Sequence, residues 1–415
     1  MPTAVVLGAG IQGICSALAL AHQGYHVQLI DQATNGMLRT SLVGEGKIHL
    51  GFVYAKDTTM RTPRLMLHAA MRFAPLLEKW LGSPLGWDQL KSRPFAYGVM
   101  PDSMVSLDTL LASYARLQTV WDDLRGHAHY AYLGENPARL WSDPIGAGTP
   151  EFPPVHGIAH WIDTTEVALH IPKFRQILLR AIEAHSCIIT RYAQRVESVA
   201  RTAHGFCTTI CAPSGARTHV ESEIVVNCLW AGRLQLDAQL GLMPTRPWSY
   251  RLKYSLRGTI APNTPPPPTV TLVLGRYGDV VWWPQDNSVY ASWYPACLQG
   301  WSQELAPDSD LLAAAAGEIS PSTKQQVIAD TLNALGAIVP GLGRMAVTSV
   351  GAGIIFAWGQ SDIDDPASAL HQRADTGVLA HDGYFSINTG KFTTAPLFAQ
   401  QLVEHVHGKI PSLLV

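Results

Sequence analysis

Gly8, Gly10 and Gly13 stand at the spacing G-x-G-x-x-G, and Asp31 ends the apolar stretch that follows them. These residue types at this spacing suit the holding of a dinucleotide. A helix N-terminus offers unpaired N–H groups and partial positive charge to a pyrophosphate. Gly8 permits a tight turn, Gly10 lets the backbone approach the pyrophosphate, and Gly13 lets helix and strand pack closely. The Asp31 carboxylate can accept bonds from both ribose hydroxyls and would repel a 2′-phosphate. Ile11 and Gln12 inside the fingerprint, and Gln32 beside the acid, complete the set. The plain alternative is a glycine turn that only packs a helix. The strand before, the helix after and the answering acid favour the dinucleotide, without deciding between NAD and FAD.

The elements that must position these residues follow from the pattern. Residues 3–8 read as a buried strand, 11–23 as a helix closed by Gly24, and 26–30 as a second strand. That is a βαβ unit, and it implies a parallel sheet. Residues 60–81 read as an amphipathic helix, and 100–150 as a mixed stretch rich in Pro, Gly and polar residues. A helix over 171–186 opens with Pro172. Short strands follow in CIITRY, RVESVA and GFCTTICA, and EIVVNCLWAG reads as a strand leading into a loop. PNTPPPPTV is a stiff connector. Residues 270–295 alternate like hairpins, with a turn at Gln285–Ser288. A helix over 322–338, the strand YFSINTG and a helix from Ala395 to His407 close the chain. No internal repeat is visible.

With 415 residues the chain exceeds one ordinary core and predicts two domains. Apolar residues make up 47% and charged residues 15%, as in a folded, core-rich protein. The net charge of −2 provides no broad field for nucleic acid or an anionic membrane. No apolar run approaches the ~20 residues that span a bilayer, and no signal-peptide pattern is seen. Peripheral membrane contact stays open, and the expected location is cytoplasmic. The six cysteines lack metal-ligand spacing, so reduced thiols and no metal site are expected.

Four segments, in order, resemble the D-amino-acid oxidase superfamily of FAD oxidoreductases. The first is the fingerprint. The second, TSLVGEGKIHLGFVY at 40–54, is similar to the "I-H-x-G-x-x-Y" stretch that lies along the flavin in glycerol-3-phosphate dehydrogenase and L-2-hydroxyglutarate oxidase. The third is RVESVA with EIVVNCLWAG. It resembles the strand over the adenine and the "VVNAAG" strand near the pyrophosphate. The fourth, NTGKFTTAPLFAQQLVEHV at 388–406, is similar to the "GGKxTT" run of the same branch. The resemblance implies FAD as cofactor, with Ser41 and Glu45 at the pyrophosphate or the ring, Val196 at the adenine strand and Trp230 near the pyrophosphate. It also implies Gly390, Lys391, Phe392, Thr393 and Thr394 at the ring. A helix opening there would stabilise an anionic reduced flavin, whereas a threonine could equally be a plain N-cap. His49 is implied at the flavin, as the catalytic candidate. It could steer substrate, act as base, pack on the ring or attach to it covalently, or be only a buried histidine.

The sequence also departs from the family. Val53, Ile355 and Phe356 stand where relatives carry arginines, so the usual bidentate clamp on an anion is lost. Arg251, Lys253, Arg257 or Arg276 could replace it. Tyr250, Trp282, Trp283, Trp293, Tyr294, Phe356 and Trp358 could line a substrate pocket, or be core. Asp364 and Asp365 could form a metal or amine site, or a solvated loop.

The expectation is an α/β protein: a Rossmann-type FAD-binding domain (1–95, 155–242 and 345–415) interleaved with an α+β substrate domain (96–154 and 243–344). The expected activity is transfer of a hydride from a CH–OH carbon of a small molecule to FAD. Oxygen or a quinone would take the electrons. The alternatives are CH–NH oxidation of an amino acid or secondary amine, a non-catalytic FAD scaffold, and an NAD enzyme.

Overall fold

Thr3–Leu7 is short, β-branched at its centre and almost wholly buried, which suits the middle of a parallel sheet covered on both faces. The computed structural model describes residues 1–146 and 157–408. In it this strand lies between Ile224–Asn227 and His26–Ile30, parallel to both. The six-stranded sheet runs in the order Gly377–His381, Tyr384–Asn388, Ile224–Asn227, Thr3–Leu7, His26–Ile30 and Ile188–Arg191. Only its first pair is antiparallel. The helix Ile11–His22 is buried along most of its length, because alanine and cysteine let it pack against Arg61–Leu81 and Ala395–Val406 as well as the sheet. A small antiparallel sheet, Arg195–Thr202, Gly205–Cys211 and Arg217–Ser222, lies beside it.

A second sheet takes nine of the described strands. Its axis is Trp248–Ile260, which pairs along its whole length with Met345–Trp358. The opposite edge pairs with Leu298–Ser302 and then Ser288–Trp293. The order continues through Gly278–Trp283, Val270–Val273, Ala96–Val99, His160–Asp163 and Ile145–Gly146. Side chains of Trp248–Ile260 alternate between two faces. Tyr250, Leu252, Tyr254 and Leu256 are buried in a core shared with Leu311, Val327 and Leu335 of the covering helices. The other face looks toward the first domain: Ser255 Oγ donates to Val43 O at 2.8 Å, and Arg257 donates to Gly44 O at 2.7 Å.

The expected elements at 60–81, 171–186 and 322–338 form as Arg61–Leu81, Ile171–Ala184 and Pro321–Ile338. Three readings need correction. The stretch 100–150 contains a full helix, Leu107–Leu124, capped by Ser106 and burying Leu110, Tyr114, Leu117 and Trp121 at helical spacing. Its polar outer face masks that stripe in composition. Met345–Trp358 and His160–Asp163, grouped with the first domain, join the second sheet, because pairing partners distant in the chain decide sheet membership. The boundary drawn at 154/155 and the end of the segment 345–415 lie outside the described residues.

Candidate active site

A cavity of about 490 Å³ runs between the two sheets. Its lining includes Asp31, Gln32, Val196 and Glu197 as well as Lys253, Tyr290, Tyr294 and Lys391. The glycine loop floors it. Gly8 has φ +95°, and a Cβ there would fall 2.6 Å from Cys228 O; at Gly13 it would fall 1.7 Å from Gly8 O. Gly10 is different: a Cβ there would meet only Ser41 Oγ, at 3.2 Å, because the space above it is the cavity. Gly8, Gly10, Ile11, Gln12, Ser41, Glu45, His49, Trp230, Gly390, Lys391 and Phe392 all line the cavity.

Several side chains are engaged otherwise than the sequence suggests. Asp31 accepts from the N–H groups of Ala9 at 2.6 Å and Ala33 at 2.7 Å. The remaining lone pairs of the carboxylate are left for other donors. Burial raises its pKa, against those two bonds. Ser41 Oγ accepts from Ile11 N at 3.0 Å. Trp230 sits at φ +54°, and its indole N–H donates to Ile354 O at 2.7 Å, tying the loop to the second sheet. Phe392 also stacks on Phe73. Gly13, Thr393 and Thr394 do not line the cavity. Gly13 is the close-packing contact. Thr393 Oγ1 accepts from His49 N at 2.9 Å and donates to Lys47 O at 3.2 Å, and Thr394 Oγ1 donates to Thr389 O and Lys391 O. The two threonines thus shape the loop from beneath.

The five substrate candidates are also corrected. Tyr250, Trp283 and Phe356 are buried in core, Trp293 tilts against Tyr277, and Arg251 closes on Asp362 at 2.5 Å. None lines either cavity described here. The strand alternation explains this for Tyr250, which shares its face with the helix-covered core. Of the other expected cations, Lys253 lines the cavity, Arg257 holds backbone carbonyls, and Arg276 pairs with Asp364 at 3.0 Å. Asp365 accepts from Ala367 N within its own loop. Among the described residues no group of three His, Cys, Asp or Glu is placed to hold a metal ion.

A second, smaller cavity of about 140 Å³ adjoins the first and shares Glu45, Lys47, His49, Tyr294 and Lys391 with it. Glu45, Lys47 and His49 alternate in sequence and converge here, a period-two signal that could have found Lys47. Lys47 donates to Thr271 Oγ1 and to Asp279 Oδ1, the latter at 2.7 Å, and its ammonium sits 4.1 Å from the centre of the Phe95 ring. Glu166, fully buried, accepts from Leu50 N and Tyr97 OH, both at 2.5 Å, and so fixes the backbone beside His49. Arg373 and Tyr54 also line the second cavity. Arg373 was missed in the sequence, because a lone arginine after a loop carries no pattern; Tyr54 closes the I-H-x-G-x-x-Y stretch but was not singled out within it.

Charge sets the protonation of these groups. Burial alone would raise the Glu45 carboxyl, but Lys253, Lys391 and Lys47 pull it down to about 2. Burial pushes Lys391 down to about 8, against the attraction of Glu45. Burial, then Lys391 and Lys47, hold His49 well below the ordinary histidine range, so its imidazole is neutral. Its Nε2 lies 4.0 Å from Glu45 Oε1, and its Nδ1 is buried with no partner. Gln12 Oε1 and Tyr54 OH are likewise buried and unpartnered. Such orphans on cavity walls call for a ligand. The cavity, the glycine cradle and these polar atoms fit FAD.

The family model described as "FAD dependent oxidoreductase" (DAO) matches residues 3–405. The chain belongs to this family. FAD is therefore the cofactor, and an FAD-dependent oxidoreductase takes the place of the NAD and scaffold readings. No curated protein matches. Among solved structures, glycine oxidase from Geobacillus kaustophilus superposes with a TM-score of 0.69 at 14% identity, over 100% of this chain and 97% of that one. Iminodiacetate oxidase from Chelativorans sp. BNC1 gives 0.65 at 18%, over 99% and 96%. L-Proline dehydrogenase from P. horikoshii gives 0.63 at 14%, over 99% and 94%. At such identities the likeness is one of fold. Among the described residues no helix is long and apolar enough to cross a membrane.

Proposed function

We propose that this oxidoreductase acts on a CH–NH bond of a small amino acid. The observation that carries the reading is Arg373, half-buried on the wall of the second cavity together with Tyr54, whose buried hydroxyl has no partner. A guanidinium and a phenol O–H are the donors a carboxylate takes up in a bidentate or three-point grip. The loss of the family arginine at Val53 is thereby offset from another segment. The substrates for which the three solved enzymes are named, glycine, iminodiacetate and L-proline, each contain a C–N bond next to a carboxylate, which supports the reading.

Bound FAD would supply the acceptor for the hydride that leaves the α-carbon. The substrate nitrogen loses a proton, the C–N single bond becomes an imine, and water then replaces nitrogen to give a carbonyl compound and an amine or ammonia. Oxygen or a quinone afterwards takes the two electrons. In this scheme Arg373 and Tyr54 orient the carboxylate. Neutral His49 offers Nδ1 as a hydrogen-bond partner, a role that its low pKa suits better than storing a proton. Lys253 and Lys391 place positive charge where negative charge develops. Gly10, Ile11, Gln12, Asp31, Gln32, Ser41, Val196, Trp230 and Gly390 would hold the dinucleotide.

The resemblance of residues 388–406 to the glycerol-3-phosphate and hydroxyglutarate branch sustains CH–OH oxidation as a second reading. Anaerobic titration of the holoenzyme separates the two. Glycine, N-methylglycine or proline should bleach the visible flavin band while glycolate and lactate leave it intact; the reverse pattern would overturn the proposal.

A further inference from the structure

The second cavity holds more positive charge than one carboxylate requires. Lys47, Lys56, Lys391 and Arg373 line it, against the carboxylates of Glu45 and Asp279. Lys47 closes on Asp279 at 2.7 Å, and Glu45 is the counter-charge within reach of Lys391. The acids of the neighbouring loop are taken. Asp362 closes on Arg251 at 2.5 Å, Asp364 on Arg276 at 3.0 Å, and Asp365 accepts from Ala367 N at 2.8 Å. Asp57, next to Lys56 in sequence, accepts from Thr59 Oγ1 at 2.5 Å and Thr62 N at 2.9 Å. Arg373 and Lys56 remain: Asp362 acts on the first and Asp365 on the second through space, but among the described residues neither cation closes an ion pair. Arg373 spends one N–H on Phe356 O at 3.3 Å.

Both cations line the second cavity, together with His371 and with the apolar side chains of Val53, Leu272, Leu274, Ile363 and Leu370. A partly buried cation that closes no ion pair favours a ligand that brings it a negative charge. A zwitterionic amino acid with one carboxylate would satisfy Arg373 and leave Lys56 without such a contact.

We infer that the cavity selects a substrate with two carboxylates, Arg373 holding the one beside the reacting carbon and Lys56 the other. This rests on the amine reading for the chemistry, but the binding can be tested without it. Unreactive acids of equal carbon count, succinate and butyrate, are titrated into the holoenzyme, and the shift of the visible flavin spectrum gives their affinities. Succinate should bind roughly tenfold tighter than butyrate, as one charge-assisted contact at a half-open site allows. Lys56→Met should erase that difference, with FAD content unchanged. Equal affinities in the parent protein, or a preference for succinate that survives Lys56→Met, would overturn the inference. Flavin reduction by racemic aspartate against racemic alanine then reports on the chemistry. If neither amino acid reduces the flavin while succinate still depends on Lys56, the amine reading fails and the two-carboxylate site stands. Should alanine reduce it as well as aspartate does, the amine reading stands and the inference falls.

Discussion

The Lys47–Asp279 pair permits a quantitative test of how this site is held. Lys47, on the wall shared by the two cavities, is 2% exposed and closes at 2.7 Å on Asp279, which lines the second cavity. Removing one partner leaves the other charge buried, which costs about 3–5 kcal/mol. Lys47→Met strands Asp279 beside Glu45, and Asp279→Leu strands Lys47 among Lys253 and Lys391. Unfolding entropy of about 2.1 cal/mol/K per residue makes each kcal/mol worth roughly 1 °C over a chain of this length, if it melts as one unit. Each single variant should then melt about 3–6 °C lower. The double variant carries no stranded charge, and replacing a buried pair by apolar groups is close to neutral. Its melting temperature should lie above that of either single variant. The assay is thermal unfolding of the holoprotein at saturating FAD, followed by tryptophan fluorescence. Additive losses in the double variant, or single variants that melt with the parent, would refute the reasoning that the pair acts as a unit.

Other expectations follow from the same geometry. Gly13→Ala places a methyl 1.7 Å from Gly8 O, so the purified variant should be colourless and gain no flavin absorbance on adding FAD. If Arg373 grips a carboxylate, Arg373→Met should lower kcat/KM for an amino acid by about 10²-fold, the cost of losing charge-assisted bonds of about 3 kcal/mol, and Arg373→Lys by less; kinetics of flavin reduction check both. Lys391 titrates in the folded apoprotein near 8, below its unfolded range. Between pH 8 and about 10 the unfolded chain then binds more protons, and this group makes stability rise with pH. Denaturant midpoints of the apoprotein should show that rise diminished in Lys391→Met.

What the sequence made legible has a physical pattern. The glycine loop, Asp31 and the helix Ile11–His22 are local: their spacing encodes a turn, a cap and a period, and the structure forms them there. Which side chains of Trp248–Ile260 meet the cavity was not legible. Tyr250 and Arg251 were chosen for their chemistry, while Lys253 and Ser255 line the space. Tyr250 lies on the opposite face, and Arg251, on the same face as Lys253, closes instead on Asp362 far along the chain. Arg373 and Glu166 lay beyond reach for a related reason. Each acts through partners far away in the chain, Tyr54 for one and Leu50 and Tyr97 for the other, and no local pattern marks such a residue.

The cavity that fits FAD is assembled from the loop at 8–12, the segment 31–49, the turn at 228–232 and residues 389–392. Synthesis delivers these parts in that order, and the last arrives only when most of the chain has left the ribosome. The strand Tyr384–Asn388 must pair beside Ile224–Asn227 before Gly390 and Lys391 can join the lining. A growing chain therefore exposes its glycine loop and an open sheet edge for most of its translation, with no complete site to load. The site that fits FAD is complete only once residues 389–392 have joined it. Cells short of riboflavin should accumulate this protein as a full-length but easily proteolysed chain, with its second sheet formed and its gap between the sheets unfilled.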